Sequence, residues 1–204
     1  MKKLSGILTS AAVLTTLLLS STANAYEEGD WLLRVGVGNV DPKSSNGEVV
    51  SVDSGTSLVF NGTYFFTPNL GFEILAATPF SHDIHAVDGG SKLAETKHLP
   101  PTFSLNYHFD TAGSFKPYVG AGLNYTIFFD EETTGALSDF SLSLDESFGL
   151  AAQLGADIDV SDTMFVNLNV RWIDINTDAK LDGSFVEEVE IDPIVFSLAL
   201  GWKF

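Results

Sequence analysis

The chain has 204 residues, 45% of them hydrophobic and 18% charged, with 18 Gly, 16 Phe and no Cys. That is enough apolar material for one folded domain, and it excludes disorder, a disulfide framework, a thiolate metal site and a cysteine nucleophile. A net charge of -17 excludes a nucleic-acid partner, because phosphate binding draws its affinity from clustered Lys and Arg.

Residues 1–25 read as a cleaved signal peptide, leaving 26–204 as the folded domain. Lys2 and Lys3 lead a mostly apolar stretch from Leu4 to Leu19, and Ala23-Asn24-Ala25 supplies a small-residue cleavage site. No later segment approaches the roughly 18 consecutive apolar residues that a membrane-spanning helix needs.

From Asp30 onward the apolar residues recur at every second position. Val166, Leu168, Val170 and Trp172 alternate with Asn167, Asn169 and Arg171, a pattern that gives a strand one apolar and one polar face. The period predicts eight strands at 30–41, 55–66, 70–80, 97–109, 115–130, 145–160, 163–178 and 187–204. Short connections at 67–69, 110–114 and 161–162 alternate with long ones at 42–54, 81–96, 131–144 and 179–186. An even-numbered antiparallel up-and-down meander, with short turns at the periplasmic end and long loops at the extracellular end, is how bacterial outer-membrane barrels are built. The expected class is therefore an all-β, eight-stranded transmembrane β-barrel.

Residue size separates this from a soluble sandwich or lipocalin-like barrel, whose apolar faces turn inward. Phe60, Phe72, Phe103, Tyr125, Phe148 and Trp172 lie on the apolar faces, whereas Gly36, Gly38, Gly120, Gly122 and Gly155 lie on the others. The interior of an eight-stranded barrel has room only for packed side chains, so the bulky faces point into lipid. Trp31, Tyr64, Phe66, Phe72, Tyr107, Phe109, Trp202 and Phe204 fall near the short-turn ends and form an aromatic girdle. The terminal Phe204 is similar to the C-terminal aromatic signal read by the barrel-assembly machinery.

The inward faces divide by depth. Near the short turns lie Arg34, Glu73, His108, Asp157 and Lys203, a mutually neutralising set that reads as a periplasmic polar plug. Nearer the long loops the same parity gives Val40, Val59, Leu75, Ala77, Phe128, Ala151, Ile173 and Val195. An ion pore would place charges or carbonyls here; this layer is either plain core or the wall of an apolar chamber. Pro79, Pro100 and Pro101 sit on neighbouring strands, where missing N–H groups break the ladder. They mark either strand ends or a lateral seam into the membrane.

No catalytic or metal site and no cofactor is indicated. His82 and His85 offer two imidazoles but no third ligand, no G-x-S-x-G elbow occurs, and Asp157, Asp159 and Asp162 lack the glycine and terminal Glu of a calcium loop. Asn61-Gly62-Thr63 and Asn124-Tyr125-Thr126 match glycosylation sequons, yet both lie inside strands and read as chance matches. The loop end, taken as 41–54, 81–95, 130–146 and 174–192, holds 19 of the 27 acids, so the outer rim is anionic: either ordinary solvated loops or a surface that gathers cations and bridges to anionic lipid and lipopolysaccharide.

Six segments, Leu75-Ala76-Ala77-Thr78-Pro79-Phe80, His98-Leu99-Pro100-Pro101-Thr102, 116–126, Phe128-Phe129, Leu137-Ser138-Asp139 and Asp192-Pro193, resemble in order the OmpW family of outer-membrane proteins. The resemblance implies a narrow barrel with a largely apolar lumen that passes small hydrophobic molecules; cation passage and roles in stress or host interaction are implied as well. The function expected is a passive channel for small hydrophobic solutes with a sideways exit above the plug. The alternatives are a structural or receptor barrel displaying acidic loops, and a small cation-selective channel.

Overall fold

The computed structural model describes residues 25–44, 46–87 and 90–204; the expected signal segment up to residue 24 lies outside the described residues. In chain order the strands are β1 (Trp31–Asp41), β2 (Val50–Val52), β3 (Gly55–Phe65), β4 (Leu70–Ala77), β5 (Phe80–Ala86), β6 (Lys92–Leu99), β7 (Thr102–His108), β8 (Phe115–Thr133), β9 (Leu142–Leu144), β10 (Ser147–Asp159), β11 (Met164–Ile173), β12 (Asn176–Leu181), β13 (Ser184–Glu190) and β14 (Ile194–Lys203).

Eight of them close a ring. β1 pairs with β3, and antiparallel pairings then run through β4, β7, β8, β10, β11 and β14 back to β1. A closed antiparallel ring leaves no edge, so every wall strand finds its backbone partners within the protein, as a lipid environment demands. Leu33, Leu58, Phe60, Ile74, Phe103, Leu105, Leu123, Leu150, Leu154, Leu168 and Leu198 point outward and are exposed. The alternate positions are closed off inside: Arg34, Thr63, Glu73, Asn106, Asn124, Asp157 and Arg171 are buried. The polar-in, apolar-out parity is that of a membrane barrel.

Inward glycines make room for the largest interior rings. A Cβ at Gly201 would sit 2.2 Å from the Phe165 ring, and one at Gly155 would sit 2.5 Å from the Tyr118 hydroxyl. Bulky groups thus fit a narrow lumen only opposite residues without side chains.

At the extracellular end the strands outrun the expected boundaries. The region 81–96, expected as a loop, is largely the β5–β6 hairpin, which extends the wall strands upward and adds β2 at its edge. Its alternation is real but carried by polar residues: Phe80, His82 and Ile84 are buried while Ser81 is exposed, and charge hides the period. The region 179–186 is likewise part of a hairpin, β12–β13, which β9 joins as a third strand. Asp182 and Gly183 turn it with φ of 49° and 78°, the two left-handed residues that a tight Asp-Gly hairpin needs. The expected strands 163–178 and 187–204 are each divided, one at Asp174–Ile175 and the other at 191–193, where Pro193 cannot donate to a ladder.

Candidate functional site

The lower lumen is a hydrogen-bonded polar floor. Arg34 donates from Nε and Nη2 to both Asp157 oxygens at 3.1 and 2.7 Å, and from Nη1 to Thr63 at 2.8 Å and Glu73 at 3.2 Å. Arg171 Nη2 reaches the other Glu73 oxygen at 2.7 Å. Two guanidinium groups therefore face two carboxylates, and the buried charges cancel, the condition under which such groups persist away from water. Gln153 bridges Glu73 and Asn106 at 3.0 and 2.6 Å, while Asn167 and Asn169 each donate to the Tyr118 hydroxyl at 3.0 Å. His108 stacks on Tyr118 with ring centroids 4.6 Å apart, its Nδ1 lying 4.0 Å from Asp157.

Of the five residues expected in the plug, the structure brings Arg34, Glu73, Asp157 and His108 together. Lys203 does not join them: it stands part-exposed at the periplasmic rim, 3.7 Å from Asp30. Its position as the last residue of β14 leaves the long side chain free to reach water. Arg171, on the loop-side half of β11, has the same reach used in the opposite direction and extends down to Glu73. Depth assigned from Cα position misplaces such long side chains. Tyr26 is a further participant from outside the strands: its hydroxyl donates to Asp157 at 2.7 Å and its ring packs 4.5 Å from Phe65, so the chain entering β1 folds across the mouth.

Above the floor, Val40, Val59, Leu75, Phe128, Ala151, Ile173 and Val195 form one buried cluster, with Ala77 packed against it. This layer is tightly filled. Val40, Val59, Leu75, Ile173, Val195, Phe80 and Pro100 border a void of only about 20 Å³. A larger cavity of about 250 Å³ lies higher, where the hairpin extensions converge. Val50, Val52, Ile84, Leu93, Ala94, Leu144, Ala179, Val189 and Ile191 supply its wall, and Phe128 is the one expected lumen residue that reaches it. Between the two spaces stand Phe80, His98 and His82, stacked with centroid separations of 5.4 and 4.8 Å, with Phe128 edge-on to His98 at 5.8 Å. The upper chamber was illegible in the sequence because its walls come from segments that read as loops; the alternation of Phe80, His82 and Ile84 was the available signal.

These imidazoles stand on β5 and β6, in the ribbon above the proline gap. Burial pushes His98 down to about 3 and lowers His82, keeping both neutral in the chamber wall. His82 Nδ1 donates to the Asp53 carbonyl at 2.6 Å, and His85 Nε2 lies 3.3 Å from the Asp53 carboxylate. The two histidines of the His82-Asp83-Ile84-His85 stretch thus both meet Asp53, one at its backbone and one at its side chain.

The three prolines fall at a break in the wall. Pairing between β4 and β7 ends at Leu75↔Thr102, and pairing between β5 and β6 begins at Phe80↔His98. Residues 76–79 on one side and 99–101 on the other have no ladder partner across this gap. Pro79 is exposed on the outside, whereas Pro100 is buried and borders the small void behind the seam.

Around the rim the loop lysines pair with acids, and two of them, Lys43 and Lys92, each bridge two. Lys92 lies 2.6 Å from Asp83 and 2.8 Å from Glu95, Lys43 contacts Glu190 and Asp192, and Lys180 contacts Asp145. Salt links of this exposed kind steady loops without adding much stability.

A closed eight-stranded meander with an aliphatic exterior, a polar floor and long acidic loops defines a transmembrane barrel of the Gram-negative outer membrane, resident in its lipid bilayer. Residues 27–204 match the family model described as the OmpW family, and the chain belongs to that family. It is 45% identical to outer membrane protein W of Vibrio cholerae, across 92% of this chain and 94% of the relative, and 41% identical to outer membrane protein W of Escherichia coli, across 97% and 99%. Among solved structures, the crystal structure of OprG from Pseudomonas aeruginosa superposes with a TM-score of 0.79 at 33% identity, covering 89% of this chain and 99% of that one.

Proposed function

We propose that this barrel is a passive, non-enzymatic conduit for small hydrophobic molecules, which enter between the extracellular loops, rest in the upper chamber and leave sideways into the outer leaflet. The observation that carries this reading is the contrast along the lumen: an aliphatic cavity of about 250 Å³ stands above a charge-neutralised floor closed by Arg34, Arg171, Glu73 and Asp157. Transfer of an apolar solute into an aliphatic wall is favourable, while its passage through the floor breaks buried ion pairs. The break at Pro79, Pro100 and Pro101 offers the remaining way out. In this reading Val40, Val59, Leu75, Ala77, Ala151, Ile173 and Val195 are the packed lining behind the exit, and they yield as a solute passes.

The same reading assigns residues 1–25 to a signal removed on export, Phe204 to recognition by the barrel-assembly machinery, and the acidic rim to cation-bridged contact with lipopolysaccharide. Phe204 is exposed at the barrel end, available to such a partner.

The test uses purified protein in liposomes, assayed for uptake of an apolar fluorophore and separately for ionic conductance. Ile191→Asp places a carboxylate in the chamber wall and should lower dye binding and transfer about tenfold, because desolvating that charge against an apolar ligand is unrewarded. Glu132→Gln, on the exposed rim, should leave both unchanged. Wild-type protein that moves no dye but conducts cations in proportion to its rim acids would favour the ion-channel alternative. Neither activity would favour the receptor or structural barrel.

A further inference from the structure

Asn124, the first residue of the fortuitous sequon, is fully buried at the seam. Its side-chain Nδ2 donates to the carbonyls of Pro100 at 3.1 Å and Pro101 at 3.2 Å and to Thr102 Oγ1 at 3.0 Å. Thr126 donates to Asn124 Oδ1 at 2.7 Å, which fixes the orientation of the amide, and Thr102 Oγ1 donates to the Pro100 carbonyl at 3.0 Å. The Tyr125 N–H completes the set by donating to the Pro101 carbonyl at 3.1 Å.

The arrangement answers a specific accounting problem. Where the ladder between β4 and β7 stops, residues 76–79 oppose residues 99–101, so one strand carries an extra residue and the wall bulges. Prolines remove the donors there, but their carbonyls still need partners in a place that faces lipid outside and packed side chains inside. Asn124 and Tyr125 supply them from β8, and Thr102 adds its hydroxyl from the start of β7. Both proline carbonyls are thereby satisfied without a donor from β4.

We propose that Asn124 is a positioning residue for solute exit: its amide, oriented by Thr126, holds the Pro100–Pro101 segment against β8 and so keeps the seam beside β4 unladdered and dry. This rests on the sideways-exit reading given above. It assigns a task to a side chain distant from the upper chamber, and it separates binding of a solute from its release.

The experiment compares wild type with Asn124→Leu, similar in size and without donors, in lipid nanodiscs for equilibrium binding of an apolar fluorophore and in liposomes for its transfer into the bilayer. Binding should stay within about twofold, since the chamber is untouched, while transfer should fall roughly tenfold, the scale set by leaving buried carbonyls without donors. Protein labelled with ¹³C at the proline carbonyls gives an independent readout: the infrared bands of Pro100 and Pro101 should move to higher frequency in the variant, as freed carbonyls do. Thr102→Val, which removes one hydroxyl from the same cluster, should show both changes to a smaller extent and serves if Asn124→Leu does not assemble. A folded Asn124→Leu barrel that transfers dye at the wild-type rate overturns the proposal and leaves the exit reading intact. Wild type that binds dye but never releases it into the bilayer overturns the exit reading itself, and the proposal with it.

Discussion

The two ends of the lumen are built on opposite principles. At the periplasmic end, interior space is filled by charged and amide side chains from β1, β4, β7, β10 and β11, knit together with Tyr118 of β8 by hydrogen bonds. At the extracellular end the interior is aliphatic and incompletely filled, with its walls contributed by short hairpins. The lower half gains rigidity, because a buried polar network tolerates few arrangements. The upper half is bound by non-directional contacts, which leave side chains freer to shift. On the proposed reading, this contrast is what lets a narrow barrel stay closed to ions and still admit an apolar molecule.

Breaking the floor should produce the largest effect. Arg34→Met leaves Asp157 and Glu73 under-compensated in a site where Arg34 is only 1% exposed, and it should cost about 3–5 kcal/mol in urea unfolding from lipid. The double variant Arg34→Met with Asp157→Leu should cost less than the sum of the single changes, since the two groups are in contact. Additive costs would mean that the network is not a coupled unit.

A substitution on the lipid face should come next. Leu168→Arg, at an exposed outward position near the middle of β11, should cost about 2–4 kcal/mol, against about 0.5 kcal/mol or less for Glu188→Arg on the rim. Equal costs would contradict the parity of the wall.

The smallest effect concerns the ribbon that frames the chamber. His98 is held neutral by burial, its pKa pushed down from 6.5 to about 3. Above pH 6.5 the imidazole is neutral whether the ribbon is docked or open, and no penalty applies. As the pH falls from 6.5 toward 3, only the open form takes up the proton, so docking weakens progressively. Amide exchange in β5 and β6 should accelerate over that window while the floor strands stay protected, and His98→Phe should flatten the profile.

The barrel itself was legible because its signal is redundant. Each wall strand repeats the same parity, as in Val166 to Trp172, and the closed ring leaves that parity no alternative packing. Most of the floor was legible for the same reason: Arg34, Glu73, His108 and Asp157 share the inward parity near short turns. Lys203 was assigned to the plug and lies at the rim, while Arg171 was not assigned to it and reaches in, because a long flexible side chain works several residues from its Cα. The upper chamber was hidden for a different reason. Its walls arise from pairing between segments far apart in the chain, such as β2 with β5 and β9 with β12, and such pairing leaves only weak local traces. Asp182-Gly183 was one trace, a two-residue turn signal in a region read as loop. The latch on Pro100 and Pro101 had none, because a side chain that serves another strand's carbonyls follows no period.

The central claim is that solutes leave through the wall beside the prolines, and this cysteine-free chain permits a direct test. Continuing the register from Leu75↔Thr102 brings Ala76 opposite Pro101, so Ala76→Cys with Pro101→Cys sets a reversible staple across the seam if the gap can narrow to disulfide reach. Dye transfer from proteoliposome exterior to bilayer is measured with the staple oxidised and reduced, with binding to the chamber measured alongside. The account predicts that oxidation stops transfer, that reduction restores it, and that binding is unchanged in both states. Transfer that continues at the same rate through a fully oxidised seam would contradict it.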